Sequence, residues 1–215
     1  MNLRQMTLTF DNGPDPETTP FVLDILARRD IRTTFFVLGD KLRDPARRAV
    51  AERAHGEGHH IGNHTFNHLA PIGASLDPAA HEIEIARTEA LLGDLAHPRK
   101  FFRPNGGGGE INEDLLSEAA SDMLIAEAYT LVLWNVVPGD WKNPRGWPAV
   151  AREMAGKEDW PLIVLHDLPT GAMDALDGFL AALQDEGVTF VQDFPADCVP
   201  IEQGKIMRPM APYVS

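Results

Sequence analysis

The sequence predicts an α/β fold in which helices cover a parallel sheet. Short apolar or β-branched runs alternate along the chain with amphipathic stretches, and this alternation is typical of βαβ units. The first run ends at Asp11 and Asn12, followed by a Gly13-Pro14 turn. Such a turn leaves both side chains at the carboxyl end of a strand, where parallel folds place their chemistry. The 215 residues fit one sizeable domain, since single domains reach about 250 residues.

The alternation assigns each element in order. The runs predicted as strands are residues 6–10, 33–37, 60–62, 100–103, 131–135, 162–165 and 188–191. The stretches with helical spacing are residues 18–29, 44–55, 78–92, 112–120, 147–154 and 173–186. Asp44-Pro45 and Asp77-Pro78 are typical helix starts. An Asp side chain caps the first turn, and Pro is accepted at the first helical position because no backbone N–H is needed there. The pattern alone leaves a closed barrel and an open doubly wound sheet as alternatives.

Two segments are less regular. Residues 121–129 fit either an additional strand or the end of a helix. From about residue 195 the chain is rich in Pro and loses its periodicity. We expect this tail to lie across the barrel or to reach a neighbouring subunit. The second alternative would make the protein a homo-oligomer.

Composition limits the partners. Nineteen basic and thirty-two acidic side chains give a net charge of −13, which disfavours nucleic acid and anionic membranes. No apolar run is long enough to span a membrane, and the single cysteine, Cys198, has no internal disulfide partner. The first residues contain no apolar signal segment, so we expect a cytoplasmic protein.

Two motifs carry side chains suited to catalysis. The first is Thr9-Phe10-Asp11-Asn12-Gly13, and the second is His64-Thr65-Phe66-Asn67-His68. A helical turn would bring imidazoles four residues apart to about 5–6 Å between Cβ atoms, which suits two ligands of one metal ion. Read alone, the first motif is equally a plain turn, and the second a solvated helix surface.

Three later segments complete a series. They are Phe102-Arg103-Pro104-Asn105-Gly106, Trp134 to Trp141 with its Asp140-Trp141 pair, and Ile163-Val164-Leu165-His166-Asp167. In this order the five segments resemble those of the polysaccharide deacetylase family, also called the NodB homology or carbohydrate esterase 4 family. The resemblance implies a distorted (β/α) barrel of about seven parallel strands. It also implies one catalytic domain over residues 1–215, with the irregular tail from about residue 195.

The resemblance also implies roles for individual residues. Asp11 would be the general base, Arg103 its ion-pair partner and His166 the general acid. Asn12, His64 and His68 would hold a divalent metal, and nitrogen and oxygen ligands suit zinc. The substrate would meet Asn105, Gly106, Asp140 and Trp141.

The chain departs from the family pattern at four positions, one of which is Asn105, where the family has a proline. Asn12 replaces a carboxylate ligand, so a metal would be weakly held or absent. Gly106 replaces a tyrosine, although its backbone N–H can still serve as an oxyanion donor. Val137 stands where many members have an Asp that supports the catalytic histidine. We therefore expect His166 to lose that charge partner, unless Asp140 substitutes for it.

These residues lead to one prediction and two alternatives. We expect a metal-assisted hydrolase of carbon–nitrogen amide bonds that deacetylates an N-acetylated sugar or oligosaccharide. The first alternative is an allantoinase-like or other non-sugar amidase of the same fold, independent of metal. The second is a catalytically degenerate carbohydrate-binding protein, which the retention of Asp11 and His166 disfavours.

Overall fold

The computed structural model describes residues 5–215, and residues 1–4, where no signal segment was predicted, lie outside the described part. The strands are β1 Gln5–Asp11, β2 Thr34–Val37, β3 His60–Asn63, β4 Phe101–Phe102, β5 Thr130–Leu131, β6 Leu162–His166, β7 Thr189–Val191, β8 Ile201–Glu202 and β9 Lys205–Ile206. The helices are α1 Thr18–Arg28, α2 Pro45–Gly56, α3 Arg87–Leu92, α4 Glu118–Ala126, α5 Trp147–Ala155 and α6 Leu176–Asp185. All seven predicted strands and five of the six predicted helices lie near their predicted positions, whereas the helix predicted over residues 112–120 is a 3-10 turn at Glu113–Leu115 followed by α4, which begins at Glu118.

The sheet is a distorted, nearly closed barrel. Its strand order is β6-β1-β2-β3-β4-β5-β8-β9, and β7 pairs with the first half of β1. Strands β1 to β7 pair in parallel. The gap between β5 and β6 is bridged at Val136, whose N–H donates to the Leu162 oxygen at 3.1 Å and whose oxygen accepts from the Val164 N–H at 2.9 Å. The prediction of a distorted barrel is therefore confirmed, and one isolated bridge spans its remaining gap.

Strand β1 shows how period-two alternation divides the interior. Met6, Leu8 and Phe10 are buried in the layer shared with the outer helices. Thr9 and Asp11 point the other way, since successive side chains alternate across a strand, and both contact Arg103 inside the barrel. This alternation delivers a carboxylate to the barrel's carboxyl-terminal edge.

The two uncertain segments are now assigned. Residues 121–126 belong to α4, and the chain then turns into β5. The tail adds β8 and β9, antiparallel strands that the sequence prediction missed. It continues across the same chain, where the Leu116 N–H donates to the Tyr213 oxygen at 3.0 Å. Oligomer formation and the domain boundaries stay predictions.

Among residues 5–215, no helix has the length and apolarity required to cross a membrane.

Candidate active site

A cleft of about 190 Å³ opens at the carboxyl-terminal edge of the parallel strands. The predicted site residues that line it are Asp11, Asn12, His64, His68, Asn105, Gly106, Trp141 and His166. The strand register explains part of this convergence, because Asp11 and His166 are direct partners on neighbouring strands β1 and β6. Residues at the ends of adjacent parallel strands share one rim of the barrel.

Asp11 forms a buried ion pair with Arg103. The Arg103 Nη1 donates to Asp11 Oδ1 at 2.8 Å and to Thr9 Oγ1 at 2.7 Å. Its other nitrogens donate to the Val132 and Leu133 oxygens, both at 3.2 Å. Burial alone would raise the pKa of Asp11, but the Arg103 charge and neighbouring groups hold that pKa below its usual range. Asp11 is therefore an ionised carboxylate, available to accept a proton.

His64 and His68 meet without a helix. Residues 64–68 form an irregular loop after β3, so the predicted helical turn is wrong. Positive φ angles of 71° at Thr65 and 55° at His68 fold the loop back, and the imidazole centroids lie 4.8 Å apart. Such angles in non-glycine residues cost about 1–3 kcal/mol each and concentrate at functional sites.

The ring nitrogens of this pair are oriented by neighbours. His64 Nδ1 lies 2.9 Å from the Arg103 oxygen, which assigns the proton to Nδ1 and leaves the Nε2 lone pair free. That Nε2 lies 3.5 Å from Asp11 Oδ2. Burial lowers the pKa of His64 and lowers the pKa of His68 to about 3. Both rings are therefore neutral near pH 7 and can act as nitrogen ligands.

Asn12 completes the donor set for a divalent ion. Its backbone has a φ of 70°, and its buried Oδ1 has no hydrogen-bond partner among the described residues. No group of three or more His, Cys, Asp and Glu side chains is arranged to hold a metal in residues 5–215. Two imidazoles and an orphaned amide oxygen fit a divalent ion that lacks a carboxylate ligand.

His166 retains a charge partner. Its Nδ1 lies 2.8 Å from Asp140 Oδ1, and its backbone N–H donates to Asp140 Oδ2 at 2.9 Å. Burial would lower the pKa of His166, but the hydrogen bond and charge of Asp140 outweigh it and raise the pKa. Of the two possibilities left open by Val137, the substitution of Asp140 for the absent partner is therefore confirmed.

The predicted role of Asp140 in substrate binding needs the matching correction. Asp140 is 0% exposed, and both of its carboxylate oxygens are bound to His166. It acts through that ring and does not line the cleft. Trp141, by contrast, lies at the cleft as predicted, with its ring edge-on to His166 at 4.5 Å between centroids.

The glycine-rich loop after β4 forms the other wall. Asn105 Nδ2 donates to the His68 oxygen at 3.1 Å, and its Oδ1 accepts from the Gly107 N–H at 2.9 Å. Asn105 therefore ties the loop to the histidine segment. The Gly106 N–H has no hydrogen-bond partner within residues 5–215, so it is free for a ligand oxygen.

Trp134 occupies the space beside this loop, a role that sequence reasoning did not assign. Its Nε1 donates to the Gly109 oxygen at 2.9 Å, and a Cβ at Gly106 would overlap its indole ring. Glycine at 106 is therefore required by the close approach of Trp134. The family's tyrosine cannot be restored at this position while Trp134 remains.

We expect Gly106→Ala to displace Trp134 and lower stability by about 1–3 kcal/mol, the usual cost of overpacking. Trp134→Phe removes the overlapping part of the indole and should recover part of that loss in the double variant. Urea denaturation of both single variants and the pair measures this coupling. Additive losses would show that the two residues do not compete for space. Gly178→Ala is the matched control, because a Cβ there meets nothing within 4 Å.

Two side chains, the half-buried Lys41 and the buried Asp167, contact the turn that follows β1. Lys41 Nζ donates to the Asn12 oxygen at 2.6 Å. The Asp167 carboxylate accepts from Thr19 Oγ1 and packs so closely on Gly13 that a Cβ there would overlap it. Burial raises the pKa of Asp167 to about 7. No local sequence signal marked Lys41 or Thr19, since their contacts depend on tertiary structure.

The barrel brings an ionised carboxylate, a histidine with a raised pKa and a neutral imidazole pair around one cleft, an arrangement that suits a hydrolase. Comparison with known proteins agrees. A family model described as polysaccharide deacetylase matches residues 2–124. The chain belongs to the polysaccharide deacetylase family, whose members are hydrolases that remove acetyl groups from polysaccharides and are generally metal-dependent.

The relatives are deacetylases of several glycans. The chain is 33% identical over 195 residues to a peptidoglycan-N-acetylglucosamine deacetylase of Bacillus cereus, covering 88% of this chain and 67% of that protein. It is 34% identical over 165 residues to a chitooligosaccharide deacetylase of Rhizobium leguminosarum bv. trifolii, covering 76% and 72%. Other matched relatives are longer, and the chain spans only 38% of their length.

Solved structures support the same fold. A family 4 acetyl xylan esterase from Clostridium thermocellum, in complex with a cobalt ion, has a TM-score of 0.71 and 28% identity, with 88% of each chain covered.

Proposed function

We propose that this protein hydrolyses the acetamide of an N-acetylated sugar, with an oligosaccharide as its substrate. The observation that carries the proposal is the pairing of Asp11 and His166 across β1 and β6 at one cleft. The two groups have opposite pKa shifts, since the pKa of Asp11 is lowered and that of His166 is raised. Groups whose environments move their pKa values apart are suited to separate base and acid roles.

The chain's own residues supply each proton transfer. Asp11 accepts a proton from the attacking water, and Arg103 keeps it ionised between turnovers. The Gly106 N–H donates to the oxygen that gains charge in the tetrahedral intermediate. His166, held by Asp140, then donates a proton to the departing nitrogen. The products are acetate and a sugar amine.

A divalent ion is proposed to complete the site, and zinc suits its ligands. His64, His68 and Asn12 would hold it. Such an ion would polarise the acetyl carbonyl and lower the pKa of the attacking water. The neutral Asn12 amide supports weaker binding than a carboxylate would give, because the site then offers one negative charge fewer.

We expect Asn12→Asp to bind Zn²⁺ about tenfold or more tightly, since a carboxylate in place of a neutral ligand adds roughly 1.4 kcal/mol or more. Isothermal titration of the metal-stripped protein measures the change directly. Asn67→Asp is the matched control, because Asn67 is exposed in the same loop. Equal affinities for the wild type and Asn12→Asp would remove Asn12 from the ligand set.

The sugar assignment is tested against non-sugar amides. Purified protein is incubated with N-acetylchitooligosaccharides, allantoin and a simple acetanilide, each with added Zn²⁺ or with chelator. Acetate release from the oligosaccharides alone supports the proposal. Hydrolysis of allantoin without acetate release from any sugar would support the amidase alternative, and binding without turnover would support the degenerate one.

A further inference from the structure

A second cavity of about 190 Å³ lies beside the catalytic cleft. It is formed by the first turn of α1 and the loop that follows β6, including Phe21 and Leu168. Leu168 lines both the second cavity and the cleft. Because Leu168 follows His166 by two residues, the second cavity adjoins the acid side of the cleft. The two cavities therefore adjoin at Leu168.

Phe21 gives this cavity an aromatic wall. The ring is 44% exposed, whereas Val22, Leu23 and Ile25 on the same helix are 0% exposed. Helix α1 thus buries its apolar face completely and still presents one large ring outside the core. A single exposed apolar residue is common, but this ring lines a cavity that shares Leu168 with the cleft. A flat apolar ring suits the C–H face of a pyranose.

The polar part of the cavity is acidic. Glu17 and Asp174 line it, and both residues are exposed. Carboxylates accept hydrogen bonds from sugar hydroxyls. They repel carboxylate substituents, and the net charge of −13 adds to that repulsion.

From this arrangement, and on the basis of the function proposed above, we propose that the second cavity binds the sugar unit next to the reacting one. It selects units without anionic groups. The substrate class is then a chitooligosaccharide-type glycan, rather than a glycan whose units carry free carboxylates. Phe21 packs on the ring of that neighbouring unit, while Glu17 and Asp174 accept hydrogen bonds from its hydroxyls.

The aromatic contact is tested with Phe21→Ala on tetra-N-acetylchitotetraose and on monomeric N-acetylglucosamine. We expect KM for the tetramer to rise about threefold to tenfold, the scale of one lost aromatic contact, with an unchanged kcat/KM for the monomer. Phe21→Tyr keeps the ring and should retain wild-type values. Leu76→Ala is the control for removing an exposed apolar side chain elsewhere. Equal losses on both substrates, or no loss on the tetramer, would overturn the proposal.

The charge selection is tested with the double variant Glu17→Gln/Asp174→Asn. Wild type and variant are compared on N,N′-diacetylchitobiose and on the disaccharide of N-acetylglucosamine and N-acetylmuramic acid, which carries a free carboxylate. The ratio of kcat/KM for chitobiose to kcat/KM for the anionic disaccharide should be about twofold to fivefold smaller in the variant, since exposed charges contribute modestly to binding. The narrowing should shrink at high salt. An unchanged preference, or a wild type that favours the anionic disaccharide, would contradict the proposal.

Failure of this subsite and failure of deacetylation are distinguishable. Calorimetric titration of tetra-N-acetylchitotetraose into wild type and Phe21→Ala measures binding without turnover. Weaker binding by Phe21→Ala supports the subsite even where no acetate is released, a result that rejects only the proposed activity. Equal binding by the two proteins rejects the subsite whether or not acetate is released.

Discussion

Asp11→Asn should lower kcat for acetate release by about 10²–10⁴-fold, the usual contribution of a general base. The amide keeps the shape of the carboxylate and accepts a hydrogen bond from Arg103, but it cannot take a proton from water. KM should change less than kcat, because Asp11 acts on the water more than on the bound sugar. Asp122→Asn, an exposed carboxylate on α4, is the matched control and should retain full activity.

The same substitution should also lower stability. Arg103 is 0% exposed, and removal of one partner of a buried ion pair costs about 3–5 kcal/mol when the other charge stays uncompensated. Asp11→Asn/Arg103→Met removes both charges and should recover much of the free energy of unfolding, with no recovery of turnover. A single variant with wild-type turnover would exclude Asp11 as the base. A double variant that regains activity would show that the loss in Asp11→Asn reflects folding alone.

His166→Ala should lower kcat by about 10²–10⁴-fold through loss of the general acid. Asp140→Asn keeps the imidazole and changes only its pKa, since Asp140 raises the pKa of His166. An acid acts in its protonated form, so the rate falls as the pH rises through the pKa of His166. Without the Asp140 charge, burial lowers that pKa, and the alkaline limb of the kcat profile should move to lower pH by about one unit or more.

Substrates with a good leaving group separate catalysis from misfolding. N-acetyl compounds whose amine leaves readily need little proton donation, so His166→Ala should lose much less rate on them. Asp185→Asn, an exposed residue at the end of α6, should leave the profile unchanged. An alkaline limb that stays in place in Asp140→Asn would assign that limb to another group.

The fold was predictable because its parallel strands are apolar runs that alternate with amphipathic helical stretches. Asp44 does cap α2, with its Oδ1 accepting from the Ala46 N–H at 2.8 Å. Strands β8 and β9 have two residues each, which is too short for a period-two pattern to appear. The pairing of β8 with β5 and of β9 with β8 depends on where the tail returns, and no local signal fixes that.

The candidate site was predictable as a set of residues and less so in its geometry. The Arg103 to Asp11 contact follows from two strand ends that share one rim. The His64 and His68 loop could not be distinguished from a helical turn, because spacing carries no information on positive φ angles. The substitution of Asp140 for an absent partner, and the contact of Trp134 with Gly106, both depend on side-chain packing between distant segments.

The most direct test of the account is the stoichiometry of products from tetra-N-acetylchitotetraose, measured for wild type and Asp11→Asn on the same metal-supplemented preparations. Acetate and new primary amine are quantified together with reducing ends. The account predicts equal amounts of acetate and amine from wild type, no new reducing ends, and a rate lower by about 10²–10⁴-fold for Asp11→Asn. No acetate from wild type, or equal release by both proteins, would contradict it.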